Sequence, residues 1–140
     1  HALPGNDTLY AMLLQDNGLY YLKAENNLEK AAGEYEKALS YNPRNYPLRL
    51  ELLQLNFRLG RFDAAYLNAT ELVVQKFPSQ QKALRMAIHC ALEADMAKAA
   101  YLHCREYLKL EPLDATIAAV LKGLEAGVPV SELTRFFRNQ

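Results

Sequence analysis

Two His-Cys pairs are the side chains of this 140-residue chain that best suit metal or thiol chemistry. His89-Cys90 and His103-Cys104 supply imidazoles and thiols, which are the usual ligands of structural zinc. Neighbouring residues of a helix point in directions about 100° apart, so neither pair converges on one ion. Cys104 also falls where the helical pattern needs a small buried residue, a role that a free cysteine fills well. The sequence therefore predicts no metal and no cofactor. A Cys90–Cys104 disulfide is not predicted either, because the two positions lie at different heights along paired antiparallel helices.

Motifs for catalysis are absent from the sequence. It contains no Gly-rich phosphate loop, no G-x-S-x-G nucleophile motif and no H-E-x-x-H zinc motif. We therefore predict that the protein is not an enzyme. The 16 basic and 16 acidic residues cancel, which argues against a nucleic-acid partner and against an anionic membrane surface. No apolar run approaches the ~18 residues that a membrane-spanning helix needs.

The first residue and the cysteine count bear on the origin of the chain. It begins with His1 rather than Met, which predicts an excised or processed fragment of a longer chain, or the remnant of a tag. The 2 cysteines are too few for a disulfide framework. They fit a reducing compartment, and both the cytoplasm and the bacterial periplasm stay open.

A repeat of about 34 residues organises the chain. The residues that recur at this interval are Ala31, Ala65 and Ala100 in one row and Pro43, Pro78 and Pro112 in another. Small side chains in the first row let two helices approach closely, and the prolines end helices because the preceding residue avoids the α region. The period predicts an all-α fold of stacked helical hairpins in a single domain, residues 1–140.

Helical spacing of the apolar residues and the turn signals give the element bounds. An irregular lead at residues 1–7 is followed by predicted helices at 8–25, 28–41, 45–59, 62–77, 79–94, 97–110, 113–126 and 130–139. These helices form hairpins at about 8–43, 45–78 and 79–112, with a cap at 113–139. We expect Asp7 or Thr8 to cap the first helix, and Gly60 and Gly127 to end later ones.

The strongest copy of the repeat resembles the tetratricopeptide repeat family. Its matching residues are Asn27-Leu28-Glu29-Lys30-Ala31, Tyr35, Ala38-Leu39 and Asn42-Pro43, which follow that family's second helix. The first helices depart from the family pattern, since its Leu-Gly pair is Gly18-Leu19 in the first copy. The resemblance covers roughly residues 12–112. It implies a right-handed superhelix of about three antiparallel helix pairs, whose first helices line a concave groove that holds a partner's peptide or helix.

Aligning the copies predicts which first-helix side chains line the groove. They are Asp16, Asn17, Tyr20, Lys23, Glu51, Gln54, Phe57, Arg58, Lys82, Arg85, Met86 and His89. The row mixes amides, charges and aromatic rings, whereas a buried seam would be aliphatic. A partner peptide could hydrogen-bond to the amides and pack on Tyr20 and Phe57. The alternative is that these are ordinary solvated side chains.

One subgroup of the family holds heat-shock chaperone tails through Lys and Asn residues around the tail's carboxylate. The corresponding positions here are Asp16, Tyr20, Glu51, Lys82 and Met86, and only Lys82 fits. Because Asp16 and Glu51 would repel a terminal carboxylate, we predict that chaperone tails do not bind.

The C-terminal segment, residues 131–138, is amphipathic, and helical spacing places Leu133, Phe136 and Phe137 on one face. One interpretation is a capping helix that covers the last hairpin, as the end of a helical repeat requires. The other is a docking helix for a homodimer or for the rest of a longer protein.

The predicted function is that of a protein–protein interaction module. It would act as a scaffold, adaptor or chaperone that binds a protein or peptide partner in the groove without chemical turnover. The alternative is a structural or regulatory segment of a larger multi-domain enzyme, or of a secretion or envelope assembly. A helical array that binds lipid or glycan is a third, more distant hypothesis.

Overall fold

The computed structural model describes residues 4–138, and these residues form nine helices and no strand. The helices are α1 (Pro4–Lys23), α2 (Leu28–Tyr41), α3 (Tyr46–Arg58), α4 (Phe62–Gln75), α5 (Gln80–Glu93), α6 (Ala97–Leu110), α7 (Ala115–Glu125), α8 (Val130–Leu133) and α9 (Arg135–Arg138). The predicted all-α class is confirmed. Two compact units divide the chain, His1–Arg61 and Phe62–Gln140, and each is described by itself.

Local signals set most of the helix bounds. Both α2 and α6 begin and end at the predicted residues. The Asn27 side chain caps α2, where its oxygen accepts a hydrogen bond of 3.1 Å from the Lys30 amide. Gly60 and Gly127 both have φ of 75°, the left-handed conformation in which a helix commonly ends. At Gly60 the following amide, Arg61, donates to the Asn56 carbonyl at 2.8 Å, so the last turn of α3 is closed as expected.

The predictions for the two ends of the chain were wrong in part. The first helix begins at Pro4, so Asp7 and Thr8 lie inside α1 instead of capping it. Proline is common in the first turn of a helix because its φ is already helical and its missing N–H is not needed there. The predicted final helix, 130–139, is broken at Thr134 into α8 and α9. Residues 1–3 of the predicted lead and residue 139 lie outside the described residues.

The first unit is built on an antiparallel pair, α1 and α2, with α3 packed on α2. Tyr10 of α1 lies opposite Tyr41 at the end of α2, with ring centroids 5.8 Å apart. Further along, Gly18 lies against the Tyr35 ring, so the two helices run in opposite directions. The buried residues of this core are Ala31, Ala32, Tyr35, Ala38, Leu39, Leu48, Leu52 and Leu55. Ala31 has no exposed surface, which agrees with its predicted place in a close helix contact.

The second unit stacks α4, α5, α6 and α7, each against the next. Ala65 and Ala100 are fully buried, as the repeat predicted. The short helix α8 packs against α5 and α7 instead of extending the stack. Leu133 of α8 lies directly over Gly123, where an added Cβ would overlap its side chain. Glycine at this position of α7 therefore lets the C-terminal segment approach.

The predicted second hairpin, residues 45–78, has its two helices in different units, and their packing stays a prediction. Among residues 4–138, no helix has the length and apolar character that a bilayer crossing demands.

Candidate functional site

The predicted groove residues of α1 are accessible. Asp16, Asn17, Tyr20 and Lys23 are all exposed. Tyr20 keeps 57% of its surface in water, and its ring meets Tyr21 edge-on with centroids 5.8 Å apart. This side of α1 therefore offers a carboxylate, an amide, a phenol and an ammonium group to a binding partner.

The predicted residues of α3 belong to the same unit. Glu51, Gln54 and Arg58 are exposed, whereas Phe57 is half-buried. Burial raises the pKa of Tyr35, and the charge of the Glu51 carboxylate and a hydrogen bond to it add to the effect, so this acid lies beside the buried Tyr35 hydroxyl. Because Phe57 is half-buried whereas Tyr20 is exposed, Phe57 is a weaker candidate for an aromatic anchor than Tyr20.

The start of α3 is tied to α1 by a side-chain hydrogen bond. The Asn45 amide donates to the Gln15 side-chain oxygen at 3.2 Å, while its own oxygen caps α3 by accepting from the Leu48 amide at 3.2 Å. The capping residue therefore fixes the beginning of α3 against the middle of α1. Both helices that carry predicted groove residues of this unit are held by one side chain.

In the second unit, Lys82 is exposed, whereas Arg85, Met86 and His89 are half-buried. Arg85 forms an ion pair with Asp114, at the start of α7. The Tyr107 hydroxyl of α6 donates to the same carboxylate oxygen at 2.7 Å. The other carboxylate oxygen of Asp114 caps α7 by accepting from the Ile117 amide at 3.1 Å.

Asp114 thereby joins three helices through one side chain. Burial acts to raise the pKa of Asp114, but the hydrogen bonds from the Ile117 amide and the Tyr107 hydroxyl, together with the Arg85 charge, outweigh it and lower the pKa. The carboxylate is therefore ionised at neutral pH. It neutralises Arg85, a residue predicted to bind a partner.

The C-terminal segment covers two of the predicted groove residues of α5, Arg85 and His89. The Phe137 ring stacks on the His89 ring, with centroids 4.5 Å apart and planes at 11°. The Arg85 guanidinium lies over the same Phe137 ring, 5.6 Å from its centroid. Next to this stack, Arg138 pairs with the Glu93 carboxylate at 3.4 Å. We call Arg85, His89 and Glu93 the α5 face, because their spacing of four residues aligns them on one side of the helix.

Only part of the tail faces this surface. Leu133 is buried and Phe137 is half-buried, but Phe136 keeps 40% of its surface exposed. Helical spacing predicts that all three share one face, and that prediction is wrong for Phe136. The break at Thr134 separates α8 from α9, so one helical spacing does not run through both.

The His-Cys pairs do not form a reactive centre. Cys90 and Cys104 are buried free thiols, and burial raises the pKa of both to about 12. Thiols with such a pKa stay protonated at neutral pH, whereas a metal ligand or nucleophile must be a thiolate. The His103 ring lies 2.9 Å from the Tyr66 hydroxyl, and burial lowers the pKa of His103. Within residues 4–138, no group of three or more His, Cys, Asp or Glu side chains is arranged to hold a metal ion.

Tyr107, Asp114 and Glu93 hold or neutralise the predicted binding residues, and the sequence analysis did not identify them. One signal for Asp114 was available, because Asp followed by a small residue and an apolar run is a typical helix start. The predicted helix begins at residue 113 and so includes Asp114, whereas in the structure Asp114 precedes α7 and caps it. Tyr107 and Glu93 carry no local signal, since their partners lie on other helices.

Comparison with known proteins supports the helical repeat. Residues 22–67 match the tetratricopeptide repeat family model. No curated protein matches the chain. The structure described as the first TPR of Spaghetti (RPAP3) bound to HSP90 peptide SRMEEVD is similar with a TM-score of 0.60 and 20% identity, over 86% of this chain and 94% of that one. The Arabidopsis OM64 TPR domain has a TM-score of 0.58 and 22% identity, over 84% and 96%. The chain therefore carries a tetratricopeptide repeat at residues 22–67 and has the fold of tetratricopeptide repeat domains.

Proposed function

We propose that the chain is a protein-interaction module, and that a segment of a partner protein binds along the exposed side of α1 and α3. The observation that carries this proposal is the exposure of seven predicted groove residues on these helices: Asp16, Asn17, Tyr20, Lys23, Glu51, Gln54 and Arg58. Interfaces concentrate their binding energy in Tyr, Trp and Arg, and this side of the unit supplies Tyr20 and Arg58. No reaction is part of the proposal.

The fold neighbours fit this role, since one of them is a TPR domain bound to the HSP90 peptide SRMEEVD. The chemistry of the present surface favours a different peptide. Asp16 and Glu51 stand at two positions where a carboxylate-binding clamp needs Lys or Asn. Like charges across an interface disfavour binding, so a peptide with an acidic C-terminal end is a poor ligand. We propose a partner segment with mixed polar and apolar side chains, without an acidic end.

The decisive experiment compares which proteins each variant captures from the native source. The wild-type chain, a Tyr20→Ala/Arg58→Ala variant and a Glu36→Ala control are immobilised, and the bound proteins are identified by mass spectrometry. Tyr20, Arg58 and Glu36 are all exposed, so none of the changes opens a cavity. We expect the wild type and the control to capture the same partner. Loss of each hot-spot side chain should weaken binding by ~1–3 kcal/mol.

Equal capture by all three forms would place the interface elsewhere and refute the proposed surface. A second measurement tests the charge argument separately, by titrating the peptide SRMEEVD into the wild-type chain in a calorimeter. We expect no binding at micromolar peptide concentrations. Tight binding would show that Asp16 and Glu51 do not act as we argue.

A further inference from the structure

The α5 face already holds a ligand, which is the chain's own C-terminal segment. Phe137 stacks on His89 and lies under the Arg85 guanidinium, while Arg138 reaches Glu93. These are contacts of the kind that bind peptides, since they combine an aromatic anchor with a cation facing a carboxylate. On the same helix, Lys82 is exposed and Met86 is half-buried.

The contacts of α9 differ in kind from those of α8. Leu133 of α8 is 3% exposed, belongs to the core of the second unit and lies over Gly123. In contrast, Phe136 is 40% exposed, the Arg138 side chain is 60% exposed, and Phe137 is half-buried. The α8 part is thus anchored as a core element, whereas α9 contributes the half-buried Phe137 ring at the edge of the core and the ion pair of Arg138 with Glu93. Departure of α9 would leave Leu133 in place and uncover only the part of the core that Phe137 packs on.

We propose that the α5 face is a second peptide-binding surface, that residues 135–138 occupy it as an internal competitor, and that a partner binds there by displacing them. The inference extends the proposed function, because it rests on the chain being a binding module. It adds a regulated surface in the second unit. The partner's apparent affinity equals its intrinsic affinity multiplied by the fraction of time that the tail leaves the surface uncovered.

The contacts also define the partner's chemistry. The displacing segment carries an aromatic ring that takes the place of Phe137 between Arg85 and His89. It carries a cation beside the ring that reaches Glu93, as Arg138 does now. A ring next to an Arg or Lys is therefore the recognition element, which is opposite in charge to the acidic end of SRMEEVD.

A synthetic peptide with the sequence of residues 130–138 and blocked ends serves as the probe. It is titrated into the isotope-labelled chain while the NMR signals of Arg85 and His89 are followed. The test variant is Arg138→Glu, whose side chain is 60% exposed, so the change places a carboxylate near Glu93 without opening a cavity. Arg135→Glu is the matched control, because it makes the same charge change in α9 at a residue whose hydrogen bond goes to the Glu132 carbonyl within the tail. Phe137→Ala is the second test variant.

We expect the peptide to bind Arg138→Glu about fivefold and Phe137→Ala about tenfold more tightly than the wild type, with Arg135→Glu like the wild type. A peptide that itself carries Phe137→Ala should not bind. Equal affinity in all four chains would mean that the tail does not compete, and an absence of peptide binding in every chain would mean that the α5 face is no peptide surface. Either result overturns the inference, and Arg138→Glu alone decides it if Phe137→Ala fails to fold. The titration needs no native partner, so its outcome is independent of the capture experiment on α1 and α3.

Discussion

Gly18→Ala tests the contact between α1 and α2 on which the first unit depends. A Cβ added at Gly18 would lie 2.5 Å from Cε1 and 2.6 Å from Cδ1 of the Tyr35 ring. Ordinary van der Waals contact begins at 3.4 Å, so the ring would have to move. Tyr35 is 1% exposed, and the Ala31 carbonyl oxygen lies 3.3 Å from the same Cβ position. Both facts leave the ring and the helix little room to adjust.

Two opposing effects set the magnitude. Alanine favours a helix over glycine by ~1 kcal/mol, and this acts in favour of the variant. Overpacking a well-packed contact costs ~1–3 kcal/mol. The overlap here involves a buried ring instead of the end of a flexible chain, so the cost belongs in the upper part of that range. We expect a net loss of about 1–2 kcal/mol in the free energy of unfolding.

Gly33→Ala is the matched control in the same unit. Gly33 lies in the middle of α2, and an added Cβ would meet no atom within 4 Å. Only the helix propensity then changes, and the variant should gain ~0.5–1 kcal/mol. Urea unfolding followed by far-UV circular dichroism measures both variants against the wild type. If Gly18→Ala stabilised the chain as much as Gly33→Ala, the close approach of α1 to α2 would be refuted.

Three further predictions concern the second unit. Ala65→Leu should lower the unfolding free energy by ~1–3 kcal/mol, because Ala65 has no exposed surface, and an unchanged melting temperature would contradict the close contact. Asp114→Ala should cost ~1 kcal/mol for the lost helix cap, whereas Asp114→Asn keeps a capping side chain and loses the ion pair with Arg85. Because folding lowers the pKa of Asp114, the ionised carboxylate stabilises the folded chain at pH values above its unfolded pKa of 3.8. This stability is lost as the pH falls through the folded pKa. The unfolding free energies of the wild type and Asp114→Asn should therefore converge in urea titrations at acid pH. Treatment with a chelator should leave the melting temperature unchanged, since Cys90 and Cys104 are protonated thiols, and stoichiometric zinc in elemental analysis would disprove this.

The helices that the sequence predicted best are those whose signals are local. Asn27 caps α2 by accepting a hydrogen bond from the amide of Lys30, three residues along the chain. Pro43 prevents α2 from continuing far beyond Tyr41. Such signals act within one or two turns and need no knowledge of the rest of the chain. The start of α1 was predicted too late because Asp7 was read as a cap, although Pro4 is itself a common first-turn residue.

The predicted groove row shows the limit of the same reasoning. The alignment of the copies assigned Tyr20 and Arg58 to the groove, and both are exposed on α1 and α3. It placed Arg85 and His89 in an equivalent row on α5, where the structure covers them with Phe137. Periodicity indicates that side chains share one side of a helix. It carries no information on whether another segment of the chain lies on that side.

The sequence by itself determined the all-α class, the repeat of about 34 residues, and the small residues Ala31, Ala65 and Ala100 at close helix contacts. These features follow from propensities, turn residues and apolar spacing, which act between neighbours along the chain. Only the tertiary structure decided that α8 lies on α5 and α7, and that α9 covers the α5 face. An amphipathic tail can bury its apolar side against any complementary surface within reach. Its choice depends on contacts between residues far apart in sequence, such as Arg138 with Glu93 and Leu133 with Gly123.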